Sequence, residues 1–226
     1  MNHLWLFDID GTLVNIPQVH LATYKKMYKD FVRISVSDNI LLPTFGMTEH
    51  DMHPVVFKSC GIKKDERLIK KMIAAHPRYF KAELARHDVK PLPGVNEFVQ
   101  KLKKLRQPYG IVTGNLRENA ELILKKAKLK FDAIATDDGT KARWQIVKSA
   151  IDTFGEKGHA WKSVVVIGDT ITDIEAARHC AKQTGEKIIS VVVATGTCSA
   201  KLLQQYKPDV LLKTMEDYEK ILAVVH

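Results

Sequence analysis

The chain has 226 residues, of which 45% are hydrophobic and 27% charged, and its formal net charge is +9 at pH 7. The length suits one hydrophobic core, or a core with a small second domain, and the composition is that of an ordinary soluble globular protein. No apolar run is long enough to span a membrane, so we expect no membrane partner. The basic excess fits nucleic acid, a small anionic substrate or a merely solvated surface, but the chain carries no nucleic-acid motif and we expect no nucleic-acid partner.

Two features of the chain predict a cytoplasmic location. The three cysteines, Cys60, Cys180 and Cys198, lie far apart without a CxxC pair, which favours reduced thiols. The first residues lack the layout of a signal peptide, because the acidic stretch at Asp8 begins too early to leave room for one.

The first predicted strand ends in two acids. Its apolar LWLF run, residues 4–7, leads directly into Asp8 and Asp10, which are separated by one residue and followed by Gly-Thr. Side chains two residues apart on an extended segment point the same way, so both carboxylates can face one small site. Two carboxylates at such close range are costly unless something compensates their charge.

Residues 15–90 differ from the rest of the chain, because they hold no convincing strand and their pattern favours three helices. Pro17 can begin the first helix, Thr48 opens a sequence like a capping box, and Asp65 can cap the third helix. Pro77 is expected to kink or end that third helix. We predict a small all-α domain over residues 15–90, inserted after the first strand.

From Pro91 onward, strand and helix patterns alternate along the chain. The strand segments are short apolar runs, which fit parallel strands covered on both faces. The predicted strands cover residues 109–112, 131–135, 163–167, 188–194 and 209–212. This alternation predicts an α/β fold, a doubly wound Rossmann-like parallel sheet formed by residues 1–14 and 91–226.

Polar residues follow several predicted strands, at the edge where an open parallel sheet binds ligands. Besides Asp8 and Asp10, Thr113 follows the second strand, and Asp169 and Asp173 follow a later one. All-oxygen ligands with room for water suit Mg²⁺. We therefore predict that Mg²⁺ binds among these four aspartates.

A metal alone does not need both acids at the end of the first strand. One carboxylate can attack phosphorus and form an aspartyl-phosphate, while the other protonates the leaving group and then activates water. Thr113 and the backbone N–H of Gly114 can donate hydrogen bonds to the phosphoryl oxygens, and Lys141 or Arg143 can neutralise the developing charge. This set of groups predicts phosphoryl transfer.

Four motifs together resemble those of the haloacid dehalogenase superfamily of phosphohydrolases: FDIDGTL, VTGN, a basic residue before a helix, and GDTITD. They occur in order over essentially the whole chain. The resemblance implies Asp8 as nucleophile and Mg²⁺ ligand, and Asp10 as a general acid/base that also offers its backbone carbonyl to the metal. It implies Asp169 as a direct metal ligand, Asp173 as a second and often water-mediated ligand, and Thr113 as a phosphate-binding hydroxyl.

The third motif departs from the pattern of many relatives, which carry Lys-Pro before the helix. Here the run is KARW, residues 141–144. Its distance from Ala150 places Lys141 where the usual lysine falls, whereas the TGN form of the second motif favours Arg143. Both residues stay candidates for the phosphoryl contact.

The inserted segment resembles the small α-helical cap of phosphoglycolate-phosphatase-like members of the superfamily. His20, where the chain enters this cap, fits either a surface or hinge histidine or a substrate contact. Phe45 and Gly46 belong either to a cap loop that faces the site or to an ordinary turn between helices. Asp137 and Asp138 end a strand at the same edge and are interpreted as loop acids that can support the site.

The sequence therefore predicts a Mg²⁺-dependent hydrolase of phosphoric monoester bonds acting on a small organic phosphate. Phosphoglycolate is the substrate that the family suggests, and sugar phosphates and nucleoside monophosphates stay open. A phosphosugar mutase of the same superfamily, which passes the phosphoryl group to a second hydroxyl, is the alternative. Asp10 argues against a dehalogenase or phosphonate hydrolase, and the complete set of acids argues against a non-catalytic phosphate sensor.

Overall fold

A computed structural model of the protein describes residues 2–137 and 141–225. Within these ranges, six strands form one parallel sheet in the order β3-β2-β1-β4-β5-β6. The strands are β1 (Leu4–Phe7), β2 (Tyr109–Leu116), β3 (Ile134–Asp137), β4 (Val164–Gly168), β5 (Ile188–Val193) and β6 (Val210–Leu212). The predicted doubly wound α/β fold is confirmed, although β3 begins at Ile134 rather than at Phe131.

Ten helices among the described residues surround the sheet or precede it. Between β1 and β2 lie α1 (Pro17–Val32), α2 (Asp38–Leu41), α3 (Glu49–Ser59), α4 (Glu66–Leu84) and α5 (Val95–Lys104). The others are α6 (Arg117–Lys126), α7 (Arg143–Glu156), α8 (Ile171–Thr184), α9 (Ala200–Gln205) and α10 (Glu219–Val225). None of the helices in these ranges has the length and apolar character needed to cross a bilayer.

The central strand has apolar side chains on both faces, which is why the sheet is covered on both sides. Trp5 and Phe7 point into one hydrophobic cluster, formed largely with α5, α6 and α10. Leu4 and Leu6 point into a second cluster on the opposite face, formed with α7 and α8. The period-two alternation of a strand thus divides one short apolar run between two cores.

The helices between β1 and α5 pack around a third cluster of their own. Its buried members lie between Tyr24 and Met72, while Phe80 and Leu84, near the end of α4, pack into the first sheet cluster instead. The Thr48 and Asp65 side chains accept hydrogen bonds from backbone N–H groups at the starts of α3 and α4, as the capping signals predicted. The exact limits of a domain at residues 15 and 90 stay a prediction.

Pro77 does not end the third predicted helix, because α4 continues to Leu84. The expectation that it would end there is wrong. Proline removes one backbone hydrogen bond inside a helix and crowds the preceding turn. Here His76 and Phe80, on either side of the proline, are fully buried. Burial of the helix face that carries these two side chains offsets the free energy lost at Pro77, and the helix therefore continues past the proline.

Phe98 on α5 lies at the centre of the first sheet cluster. Its ring meets those of Trp5 and Phe7 edge-on, with centroids at 5.3 and 5.8 Å, and stacks on Tyr218 at 4.9 Å. Because its side chain is completely buried, one residue fixes α5 against β1 and the C-terminal region.

We expect Phe98→Ala to lower the free energy of unfolding by about 3–5 kcal/mol, through lost burial and the cavity left behind. Urea unfolding followed by circular dichroism measures the loss. The control is Val224→Ala, because Val224 is 52% exposed, and its change should stay within about 0.5 kcal/mol. Equal effects of the two substitutions would contradict a central role for Phe98.

Candidate active site

The parallel sheet brings the predicted acids to one edge. Asp8 directly follows β1, Thr113 lies within β2, and Asp169 directly follows β4. Since β1 pairs with β2 on one side and with β4 on the other, these three residues come from adjacent strands. All three are buried.

Arg143 holds two of the carboxylates. It is the first residue of α7 and is itself buried, and its Nη2 donates to Asp8 Oδ1 at 2.6 Å and to Asp173 Oδ1 at 2.7 Å. Of the two basic candidates, Arg143 therefore supplies the contact with Asp8. Lys141 precedes α7 by two residues and does not line the cavity above the strand ends.

Asp173 also organises the turn that carries Asp169. Its Oδ2 accepts hydrogen bonds from the backbone N–H of Asp169 and of Thr170, and from the Thr170 hydroxyl at 2.6 Å. The carboxylate thus caps the start of α8 with one oxygen and meets Arg143 with the other. A capping role and a place in the acidic site are both compatible with this residue.

The acids form a group suited to a hard cation. Asp8, Asp169 and Asp173 each offer one carboxylate oxygen, and these oxygens lie within 4.8 Å of one another. Asp169 Oδ1 is buried without a hydrogen-bond partner among the described residues. Burial and the neighbouring carboxylates raise the pKa of Asp169 well above its ordinary value. Oxygen donors with excess negative charge are the ligands that Mg²⁺ takes in proteins, so these residues fit that ion.

Glycines allow the chain to close around Asp169. A Cβ added at Gly196 or at Gly11 would overlap the Asp169 carboxylate. Only a hydrogen atom fits at either position, so the loops after β1 and β5 pack directly on this side chain.

Asp10 has a different environment from Asp8. Its side chain is 30% exposed; Oδ1 lies 2.9 Å from His20 Nε2, and Oδ2 accepts a hydrogen bond from Asn115 Nδ2 at 2.6 Å. Burial tends to raise the pKa of Asp10, but the attraction and hydrogen bond of His20, together with Asn115, hold it below its ordinary value. In the same pair, Asp10 raises the pKa of His20 although burial opposes this.

The interpretation of His20 as a surface residue is wrong, because the residue is buried, whereas a place at a hinge stays a prediction. Its side chain is 10% exposed, and the ring packs against those of Phe80 and Phe45, with centroids at 5.0 and 5.9 Å. The rotation of α1 turns this residue toward Asp10, and the spacing of the two in sequence does not show that rotation. Sequence reasoning also misses Asn115 as a partner of Asp10, although it is the last residue of the VTGN motif.

A cavity of about 80 Å³ opens between the strand ends and the helices above them. Asp8, Asp10, Thr113, Gly114 and Arg143 line its floor. The opposite wall is formed by residues of the helical segment, by which we mean residues 15–90 between β1 and α5. They include His20, Tyr24, Phe45, Gly46, Glu49 and Met52. The predicted substrate residues His20, Phe45 and Gly46 therefore do face the predicted catalytic residues. Gly46 adopts a φ of +89°, and a Cβ there would lie 3.0 Å from Thr170, so the loop contacts the sheet edge directly.

A buried polar group, which we call the Glu49 cluster, includes two residues of this wall, Tyr24 and Glu49, and three more that do not line the cavity. It comprises Tyr24, Tyr28, Glu49, His53 and His76 from α1, α3 and α4. Tyr24 donates to Glu49 Oε1 at 2.7 Å, and the Tyr28 hydroxyl lies 2.8 Å from His53 Nδ1. No pattern in the sequence indicates this cluster, because its members come from three helices.

Two contacts connect the Glu49 cluster to the sheet and its helices. The Glu49 backbone N–H, at the start of α3, donates to Asp137 Oδ2 at 3.1 Å. Asn119 Nδ2 on α6 lies 2.7 Å from His76 Nδ1. Asp137 thus supports the helical segment and is not among the residues lining the cavity, whereas Asp138 lies outside the described residues.

Comparisons with known proteins agree with this fold. A model of the haloacid dehalogenase-like hydrolase family matches residues 5–190. The chain is 27% identical over 226 residues to Pyrophosphatase PpaX of Bacillus mycoides (strain KBAB4), covering 98% of this chain and 97% of that protein.

Solved structures share the fold at lower sequence identity. A hydrolase from Pseudomonas syringae has a TM-score of 0.82 at 22% identity, with 99% of both chains covered. The β-phosphoglucomutase of Clostridium difficile has a TM-score of 0.79 at 16% identity, covering 99% of this chain and 96% of the other. At these identities the likeness shows the fold and leaves the substrate open.

The burial of His76 leads to a pH prediction. Burial lowers the pKa of His76 to about 4, although Glu49 opposes the shift. The unfolded chain therefore binds a proton below pH 6.5 that the folded protein does not, and stability falls as the pH falls from about 6.5 toward 4. One such proton contributes up to about 1.4 kcal/mol per pH unit.

We expect His76→Gln to reduce this slope between pH 4.5 and 6.5 in urea unfolding at several pH values. His50→Gln, which changes an exposed histidine on α3, is the control and should keep the wild-type slope. A slope unchanged by His76→Gln would show that this ring is not held neutral.

Proposed function

This chain belongs to the haloacid dehalogenase-like hydrolase family, and we propose that it is a Mg²⁺-dependent phosphomonoesterase that hydrolyses a small organic phosphate through an aspartyl-phosphate on Asp8. The observation that carries the proposal is the buried Asp8 carboxylate, paired with Arg143 at 2.6 Å and facing a cavity beneath the helical segment. A carboxylate held in place beside a guanidinium is suited to attack a phosphoryl group whose charge the guanidinium offsets.

Each residue at the floor of the cavity has a role in the proposed reaction. Asp8 attacks phosphorus as the ester oxygen departs, and Arg143 with the Thr113 hydroxyl and the Gly114 N–H stabilises the charge on the phosphoryl oxygens. Mg²⁺ held by Asp8, Asp169 and Asp173, with the Asp10 backbone carbonyl, would supply further positive charge at those oxygens.

The Asp10–His20 pair is suited to donate and accept protons. His20 Nε2 lies 2.9 Å from Asp10 Oδ1 and keeps a proton beside that carboxylate. The pair can therefore protonate the leaving oxygen and later accept a proton from the water that hydrolyses the aspartyl-phosphate.

The small cavity favours a small ester, either phosphoglycolate-like or a sugar phosphate. The curated relatives are named pyrophosphatases, so inorganic pyrophosphate belongs in any substrate panel. A phosphosugar mutase is the alternative, and a requirement for a sugar bisphosphate would identify it.

The free thiols of Cys60, Cys180 and Cys198 support the predicted cytoplasmic location.

We expect Asp8→Asn to reduce phosphate release from the best substrate at least about 1,000-fold, because an amide is a far poorer nucleophile than a carboxylate of the same size. Phosphate release from a panel of small monoesters, with and without Mg²⁺, measures this. Asp152→Asn, at an exposed pair with Lys148, is the matched control and should keep wild-type rates. Turnover that survives Asp8→Asn would exclude this mechanism.

We expect Gly196→Ala to abolish the increase in melting temperature that Mg²⁺ produces in the wild type, and to abolish activity with it. The added methyl group would displace the Asp169 carboxylate. Gly155→Ala in α7 is the control, since its nearest neighbour would be Trp161 at 3.9 Å. If Mg²⁺ stabilises Gly196→Ala as much as the wild type, Asp169 is not a ligand.

A further inference from the structure

The charges that line the cavity are unevenly distributed between its two walls. On the floor, Arg143 accompanies the acids of the sheet edge. On the helical wall, the charged residues among the described lining positions are Glu49 and His20, and His20 is already paired with Asp10. The helical wall, where the leaving part of the substrate would lie in the proposed reaction, therefore has a carboxylate and no lysine or arginine among those positions.

Glu49 has one oxygen without a hydrogen bond. The residue is 4% exposed, and its Oε1 accepts the Tyr24 hydroxyl at 2.7 Å. Its Oε2 is buried and has no hydrogen-bond partner among the described residues; His53 Nε2 lies 3.4 Å away. Glu49 lines the cavity, and a carboxylate has room for more than the one hydrogen bond that it accepts here, so its oxygens can accept a further one from a bound molecule.

The Glu49 cluster leaves this carboxylate negatively charged at neutral pH. Burial opposes ionisation, but His76, His53 and Tyr24 outweigh it and lower the pKa of Glu49 to about 2. The neighbouring ring and hydroxyl groups orient the carboxylate while its charge persists.

The surroundings of Glu49 on the wall are apolar. Ile16, Phe45 and Met52 line the cavity beside it. A short carbon chain can pack against these side chains, with a polar end group meeting the carboxylate. A second anionic group in the same place would face Glu49, and no lysine or arginine among the described residues of this wall would compensate it, while His20 is paired with Asp10.

We propose that Glu49 is a specificity-determining residue that binds a hydroxyl or ammonium group on the leaving part of the substrate and rejects leaving parts that carry a carboxylate or a second phosphate. This inference rests on the proposed phosphomonoesterase function. It favours polyhydroxy or amino-alcohol phosphates over phosphoglycolate, and over the pyrophosphate named for the curated relatives.

The test uses esters of matched length that differ only in their end group. 2-Hydroxyethyl phosphate, phosphoethanolamine and phosphoglycolate form a two-carbon series, and the corresponding three-carbon esters extend its reach. For the wild type with Mg²⁺, we expect kcat/KM for the hydroxyl or ammonium ester to exceed that for the carboxylate ester at least about tenfold. Glu49→Gln, which removes the charge at nearly constant size, should reduce this ratio about tenfold.

Tyr28→Phe is the matched control, because Tyr28 belongs to the Glu49 cluster but does not line the cavity. It should change stability while leaving the ratio between esters unchanged. A purely structural role for Glu49 would instead lower turnover of all esters in proportion, and this result would overturn the inference.

Binding separates the inference from the proposed function. Calorimetric titration of Asp8→Asn with the same esters and Mg²⁺ measures the preference without any turnover. If no ester is hydrolysed by the wild type but the end-group preference appears in binding and disappears on adding Glu49→Gln, the inference holds and the phosphatase proposal fails. Equal binding of all end groups, or binding of none, would overturn the inference even if Asp8-dependent hydrolysis is observed.

Discussion

The repulsion between carboxylates gathered at one sheet edge is the constraint on which the rest of the site depends. A parallel sheet places the ends of β1 and β4 side by side, so acids that follow these strands must share a small buried volume. Asp8 and Asp173 tolerate this because one guanidinium, that of Arg143, contacts both. Asp10 is compensated separately by His20. The neutralising groups come from α7 and α1, so the helices complete an arrangement that the sheet alone would destabilise.

Asp169 shows how the same constraint acts through packing. Its Oδ1 has no hydrogen-bond partner in the described part of the chain, and two loops approach so closely that Gly11 and Gly196 leave no room for a Cβ. Tight packing prevents the carboxylate from turning away toward solvent. The carboxylate therefore stays within 4.8 Å of oxygens of Asp8 and Asp173, and the proposed divalent cation would offset the repulsion among the three.

Features set by local pattern can be predicted from the sequence, whereas features set by helix orientation cannot. The acids are predictable because the carboxyl ends of parallel strands lie at one edge of the sheet, so residues that follow different strands become neighbours in space. His20 is not, since the rotation of α1 about its axis decides whether it meets Asp10 or water, and ten residues of separation leave that rotation open. The rule that proline breaks a helix overestimates the effect of Pro77, because the rule does not include the stabilisation from burial of His76 and Phe80. Glu49 is not predictable either, because only His53 lies on its own helix, whereas Tyr24 and His76 come from α1 and α4.

In the proposals above, the residues that carry out the reaction and the residue that selects the leaving group come from different parts of the fold. Groups that act on phosphorus lie at strand ends fixed by backbone pairing, whereas Glu49 lies on a helix that contributes to a separate hydrophobic cluster. The two are nevertheless connected, because the backbone N–H of Glu49 binds the carboxylate of Asp137 at the end of β3. The sheet that presents Asp8 thereby also fixes the start of α3. A change of residue at Glu49 can then alter which leaving group is accepted, while the position from which that side chain acts stays set by the sheet.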